Sequence, residues 1–438
     1  MEGHVSWDNE LMKWAMSLLL NNPETFVKAQ AEIDSHLGRS RLIDELDIAE
    51  LPYLHGIIKA TLRMYPAASL LVPHESSDEC TVGGFRVPSG TMLLVNMEGL
   101  AMRVDMSEGT ELTMPQAQSL VAKCRPRPSM ASMEMLYLCI PIFLALYVFT
   151  WHFLHKLHNL PPSPFPILPL IGHLYLLKKP LHRNLSKISD RHGPILFLRF
   201  GYRPVLIVSS HSAAEECFTK NDIIFANRPR LIAGKHLGYN YTAIGTAPYG
   251  DHWRNLRRIS SFEILSSNRL QMLSGIRSDE VRTLICRLVK NQNQVVEMKS
   301  AFFELTLNVI MRMIGGKRYY GENVGEVEEA RKFREMVSKA FRLAGTNMVD
   351  FLPILGWLGL KGTEKRLMEL QKMRDSFIQN LIEEHRIKGS KCERRPKTMI
   401  EVLLSLQETE PENYTDEIIG GLMLVRSQFP SPKFLDLK

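Results

Sequence analysis

The spacing of apolar and polar positions changes several times along this chain. Residues 11–20 (LMKWAMSLLL) are almost wholly apolar and predict a helix that ends at Asn21-Asn22. Pro23 then stands where a helix begins and Gly38 where one is capped, with Phe26, Ala29, Ile33 and Leu37 at helical spacing between them. One face of this second helix is therefore core. Tyr53 to Tyr65 predicts a third helix, stopped by Pro66. The period then shortens. Cys80-Thr-Val-Gly-Gly-Phe-Arg-Val-Pro-Ser-Gly-Thr-Met-Leu-Leu-Val-Asn reads as short strands joined by glycine and proline turns.

Met135 to Leu154 (MLYLCIPIFLALYVFTWHFL) carries no charged side chain. At about twenty residues it is long enough to cross a bilayer as a helix. Tyr147, Phe149, Trp151 and Phe153 gather at its far end, where an interfacial belt would sit. A proline-rich run from Leu160 cannot continue a helix and predicts a stiff, extended spacer. Ile195–Phe200 and Pro204–Val208 alternate around Gly201-Tyr202-Arg203, the pattern of a hairpin. Residues 269–290, 298–314 and 327–343 predict amphipathic helices. Residues 363–385 place Leu367, Leu370, Met373, Phe377 and Leu381 in one core stripe. The expectation is a mainly α fold with small β-sheets (α+β) in three parts: 1–130, an anchor and proline hinge over 131–168, and 169–438.

With 438 residues, 45% hydrophobic and 23% charged, the composition is that of a globular protein. The net charge is +7 and the pI about 9.0. The basic residues are scattered, with no zinc-finger spacing or arginine-rich arm, so no nucleic-acid partner is expected. The simplest reading is a solvated surface, with anionic lipid as the alternative neighbour. The six cysteines (Cys80, Cys124, Cys139, Cys217, Cys286, Cys392) form no CxxC pair and read as reduced thiols. Among the helices, Trp253 and Arg257 stand at i, i+4, which sets an indole and a guanidinium on one face.

Several stretches together carry a family resemblance. WAMSLLLNNPE, LPYLHGIIKATLRMYPAASLLVPHES and GGFRVPSGTMLLVN resemble the distal half of plant microsomal cytochromes P-450, with the isoflavone and flavonoid hydroxylases the nearest in kind. PPSPFPILPLIGHLYLL, RHGPILFLRFGYRPVLIVSS, FANRPR and Gly250-Asp-His-Trp-Arg-Asn-Leu-Arg-Arg resemble the proximal half of the same family. The resemblance implies a haem-dependent monooxygenase at the endoplasmic reticulum membrane. It would take electrons from NADPH through a partner reductase and act on a small aromatic or flavonoid-like substrate. It also implies that Trp253 and Arg257 reach a haem propionate and that Arg63 and His74 lie near the haem.

The text departs from the family in order and in content. The distal half comes first, so the order is permuted about an internal transmembrane helix. Ala60 stands where the family places the carboxylate partner of Arg63, which would leave a buried guanidinium unpaired. Met97 leads straight into Glu98, without the loop that carries the iron-ligating cysteine, so no catalytic residue and no metal ligand is assigned. Cys80 and Cys124 read as ordinary structural cysteines. The oxygen-handling turn of the family's central helix does not follow Asn413. The expectation is an impaired monooxygenase, or alternatively a non-catalytic membrane protein without haem. A single bilayer crossing at 135–154 would set the two halves on opposite sides, where they could not share a core. Basic residues before the span would make Asn184, Asn240 and Asn413 lumenal glycosylation acceptors.

Overall fold

The computed structural model describes residues 7–37, most of 41–65, 70–97 and, with short breaks, 149–428. Three helices open the chain: α1 (Trp7–Asn21), α2 (Pro23–Leu37) and α3 (Pro52–Met64). They pack on one another, with the Trp14 and Tyr65 rings stacked at 4.0 Å. Leu51 cannot cap α3 with its side chain. Glu32 of α2 does so instead, accepting from the Tyr53 and Leu54 amides at 2.7 and 2.8 Å. A carboxylate is well placed there, because the first amides of a helix are unpaired and carry its positive dipole end.

Four short strands follow: β1 (His74–Glu75), β2 (Cys80–Val82), β3 (Phe85–Val87) and β4 (Met92–Val95). After helix α4 (Leu181–His192) come β5 (Ile195–Phe200) and β6 (Arg203–Val208). β2 and β3 make a hairpin of their own, and β5 and β6 form the expected second one. The remaining longer helices are α5 (His211–Phe218), α6 (Asp251–Ile259), α7 (Ser274–Lys290) and α8 (Met298–Gly315). They continue with α9 (Val327–Leu343), α10 (Gly362–Lys388), α11 (Met399–Thr409) and α12 (Asp416–Gln428). The helix expected over 269–290 is broken at the buried Leu273, which ends one short helix and starts α7.

The main core lies among α8 to α12 and is filled by Phe303, Ile310, Phe333, Ile378, Leu403 and Ile419. The stripe read on α10 faces it: Leu367, Leu370 and Leu381 are buried, with Met373 and Phe377 packed at its margin. The mainly α expectation with small sheets is met.

The expected separation of the two halves is not met. The larger sheet has the strand order β1-β4-β6-β5. β4 pairs in parallel with β6, Met92 opposite Val205 through Val95 opposite Val208. All four β4 side chains are buried, as expected of a central strand covered on both faces. Arg203 of β6 donates to Glu75 of β1 at 2.9 Å, with only 9% of its own side chain exposed. One cluster joins Val82, Val87 and Leu93 to Leu206, Val208 and Ala213, and α1 packs on α8. Hydrogen-bonded strands occupy one compartment, so residues 74–95 and 195–208 lie on the same side of any bilayer. The apolar run 135–154 falls mostly outside the described residues. Among the described residues no helix is long and apolar enough to cross a membrane.

Candidate functional site

A cavity of about 480 Å³ opens where the strand β1, the turn Ile224–Ala226 and helix α6 converge. Helical spacing on α6 sets Arg257 over the Trp253 ring, its Cζ 5.3 Å from the centroid. That contact is a cation–π pair. The Trp253 N–H donates to the Ile244 carbonyl at 3.2 Å. Tyr249 packs beside the indole at 5.6 Å and lies under Arg254, which also pairs with Asp251 at 2.7 Å. Phe262, on the π-turn Ser260–Ile264 that ends α6, stands exposed at the rim.

His74 enters the same cavity from the other half of the chain. Its Nδ1 lies 2.7 Å from the Phe225 carbonyl, and its ring meets Phe218 edge-on at 5.1 Å. A carbonyl can only accept, so Nδ1 carries the proton and Nε2 presents a lone pair. Burial, reinforced by the charge of Arg228, lowers the His74 pKa to about 3. The imidazole is neutral at any ordinary pH.

Arg228 was not singled out in the sequence, although it stands within the FANRPR text. Its Nη1 donates to the Pro73 carbonyl at 3.5 Å, and its Nε–H is buried without a partner among the described residues. Burial pushes its pKa down to about 10, so it remains a cation.

Three of the four residues expected at the site, His74, Trp253 and Arg257, therefore line one cavity. Arg63 does not. It is exposed on α3, so the cost expected from a buried guanidinium opposite Ala60 does not arise.

A family model for cytochrome P450 matches residues 11–106 and 161–424, and the chain belongs to that family. Among curated relatives, an isoflavone 2'-hydroxylase of Glycyrrhiza echinata is 48% identical over 275 residues, covering 61% of this chain and 54% of the relative. An isoflavone 3'-hydroxylase of Medicago truncatula is 49% identical over 277 residues, covering 61% and 55%. A (+)-piperitol/(+)-sesamin synthase of Sesamum radiatum is 44% identical over 302 residues, covering 66% and 58%. The chain spans about half the length of the curated relatives it matches.

Haem, which the family implies, needs cations for its two carboxylates and an axial ligand for its iron. The cavity supplies the first: Arg228, Arg254, Arg257 and Arg258 line it. A thiolate is not among its described lining residues. Cys80 and Cys217 are buried in the cluster behind the sheet, their thiols pushed up to about 11 and 12 mainly by burial. Cys286 is exposed on α7, and Cys124, Cys139 and Cys392 lie outside the described residues. The described lining thus suits the carboxylates of haem and offers, among the described residues, no thiolate for its iron.

Proposed function

We propose that this chain is a derivative of a flavonoid-hydroxylase-type haem monooxygenase in which oxygen insertion is impaired. By family, the complete enzyme would place one oxygen atom on an aromatic or flavonoid-like substrate. Its electrons would come from NADPH through a reductase at the endoplasmic reticulum membrane. In this reading residues 1–130 are the distal segment, 131–168 the anchor and hinge, and 169–438 the proximal segment, in permuted order. Trp253 and Arg257 would face the cofactor's carboxylates, and His74 would lie near the haem. The observation that carries the reading is the cavity itself, in which those three residues from two distant stretches stand together with no thiol among the described lining residues. The same absence of a thiol among the described lining residues favours the second reading, a haem-free and non-catalytic membrane protein.

A carbon-monoxide difference spectrum of the reduced, membrane-expressed chain tests the proposal. The expected result is no red-shifted Soret band of thiolate-ligated haem. A clear band of that kind would mean that one of the six cysteines ligates iron, and the proposed impairment would be wrong.

A further inference from the structure

We propose that Cys80 and Cys217 form a reversible disulfide that locks the β2–β3 hairpin to helix α5, a covalent tie between the two halves of the chain. The two cysteines share one buried cluster, and the packing around them is fixed on both sides. Glu216, next to Cys217 on α5, accepts from the Gly83 amide at 2.7 Å. Asn221, just beyond the helix, donates to the Thr81 carbonyl at 3.0 Å. The end of α5 therefore grips the backbone of β2 and its turn at two points, with Cys217 between them in sequence and Cys80 opening the same strand. Alternation along β2 turns Cys80 and Val82 inward and leaves Thr81 exposed. Cys80 (8% exposed) and the fully buried Cys217 then pack in one cluster with Val82, Val87 and Phe225. Ionising Cys80 would raise the Cys217 thiol further, so the two sulfurs are near neighbours. The hairpin is a two-stranded sheet of its own, so it can close on α5 without breaking a ladder bond of the larger sheet.

Cys80, the less buried of the pair, is the entry point, and the oxidant is glutathione disulfide. The Cys80 thiolate attacks one sulfur of glutathione disulfide, forming a protein–glutathione disulfide and releasing one glutathione thiolate. The Cys217 thiolate then attacks the Cys80 sulfur, closing the protein disulfide and releasing the second glutathione. Two protein thiols give up two electrons and two protons, and one glutathione disulfide becomes two glutathione molecules. Burial keeps both thiols protonated at neutral pH, so brief oxidation passes them by and a sustained shift of the thiol pool closes the bond. The proposal stands whether or not the haem reading holds, because it needs no iron.

For the test, the full 438-residue chain, membrane-expressed, is incubated with glutathione disulfide and its remaining thiols are blocked with N-ethylmaleimide. It is then digested without reduction and its linked peptides are measured by mass spectrometry. The same treatment in guanidinium chloride gives the pairing of the six cysteines in the unfolded chain. Relative to all other pairs, the Cys80–Cys217 pair is expected to be about tenfold or more enriched in the native chain over the unfolded one. Dithiothreitol added before blocking should abolish it. Cys217→Ser should leave a glutathione adduct on Cys80, and Cys80→Ser should leave Cys217 unmodified. No enrichment in the native chain would overturn the proposal, even if the variants failed to fold. So would a folded Cys217→Ser variant, checked by its thermal melt, whose Cys80 takes up no glutathione.

Discussion

At His74 the environment decides the protonation state, and the consequence for stability has a definite sign. Its folded pKa, about 3, lies below its ordinary value, so the unfolded chain binds a proton that the folded chain refuses. Stability is then lost as the pH falls below the ordinary histidine range, by about 2 kcal/mol at pH 5. Replacing His74 by Gln should flatten the denaturation midpoint between pH 7 and pH 5. An unchanged slope would show that other groups set the acid sensitivity. Trp253 and Arg257 were legible in the sequence because helical spacing alone puts them on one face. Arg228 was not, since its significance lies in a missing partner, and a missing partner is visible only once the wall around it has formed. Arg63 shows the converse. A family pattern placed it near the cofactor, while α3 presents it to solvent.

Among the elements, the turn between β5 and β6 is the most exacting. Gly201 has φ of 60°, and a Cβ there would press on the Phe351 carbonyl, which accepts from the Tyr202 amide at 3.2 Å. Gly201→Ala should cost about 2–3 kcal/mol in chemical denaturation, combining left-handed strain with displacement of that carbonyl. Gly90 has a comparable φ of 72° but open space where its Cβ would be. Gly90→Ala should cost only about 1–2 kcal/mol, the strain alone. A similar loss at both sites would mean that the contact with Phe351 contributes nothing. The helices were readable because their apolar period continues over many residues, and α9 begins and ends where the pattern does. The Glu32 cap of α3 was not readable, since it joins an acid on one helix to the first amides of the following helix.

In the molecule as a whole, the decisive feature is the strand β4 seated between β1 and β6. The sequence showed that Met92–Val95 is a strand. Its partner could not be read there, because parallel pairing across so long a connection leaves no local signal. The two stretches should accordingly behave as complementary parts. Residues 1–130 and 131–438, produced as separate chains in one cell, are expected to co-purify, and each alone to aggregate through its open strand edge. A monomeric, cooperatively melting 131–438 fragment would show that the shared sheet is not needed for folding.

The same sheet fixes a timetable for the nascent chain. β4 leaves the ribosome long before β6, separated by roughly a hundred residues, which at ordinary elongation rates is about 5–20 s. Through that interval a fully apolar strand waits with one ladder edge unsatisfied. Its neighbour β1 can shield only the other edge. Yield should therefore depend on holdase chaperones during synthesis far more than the stability of the finished fold would suggest.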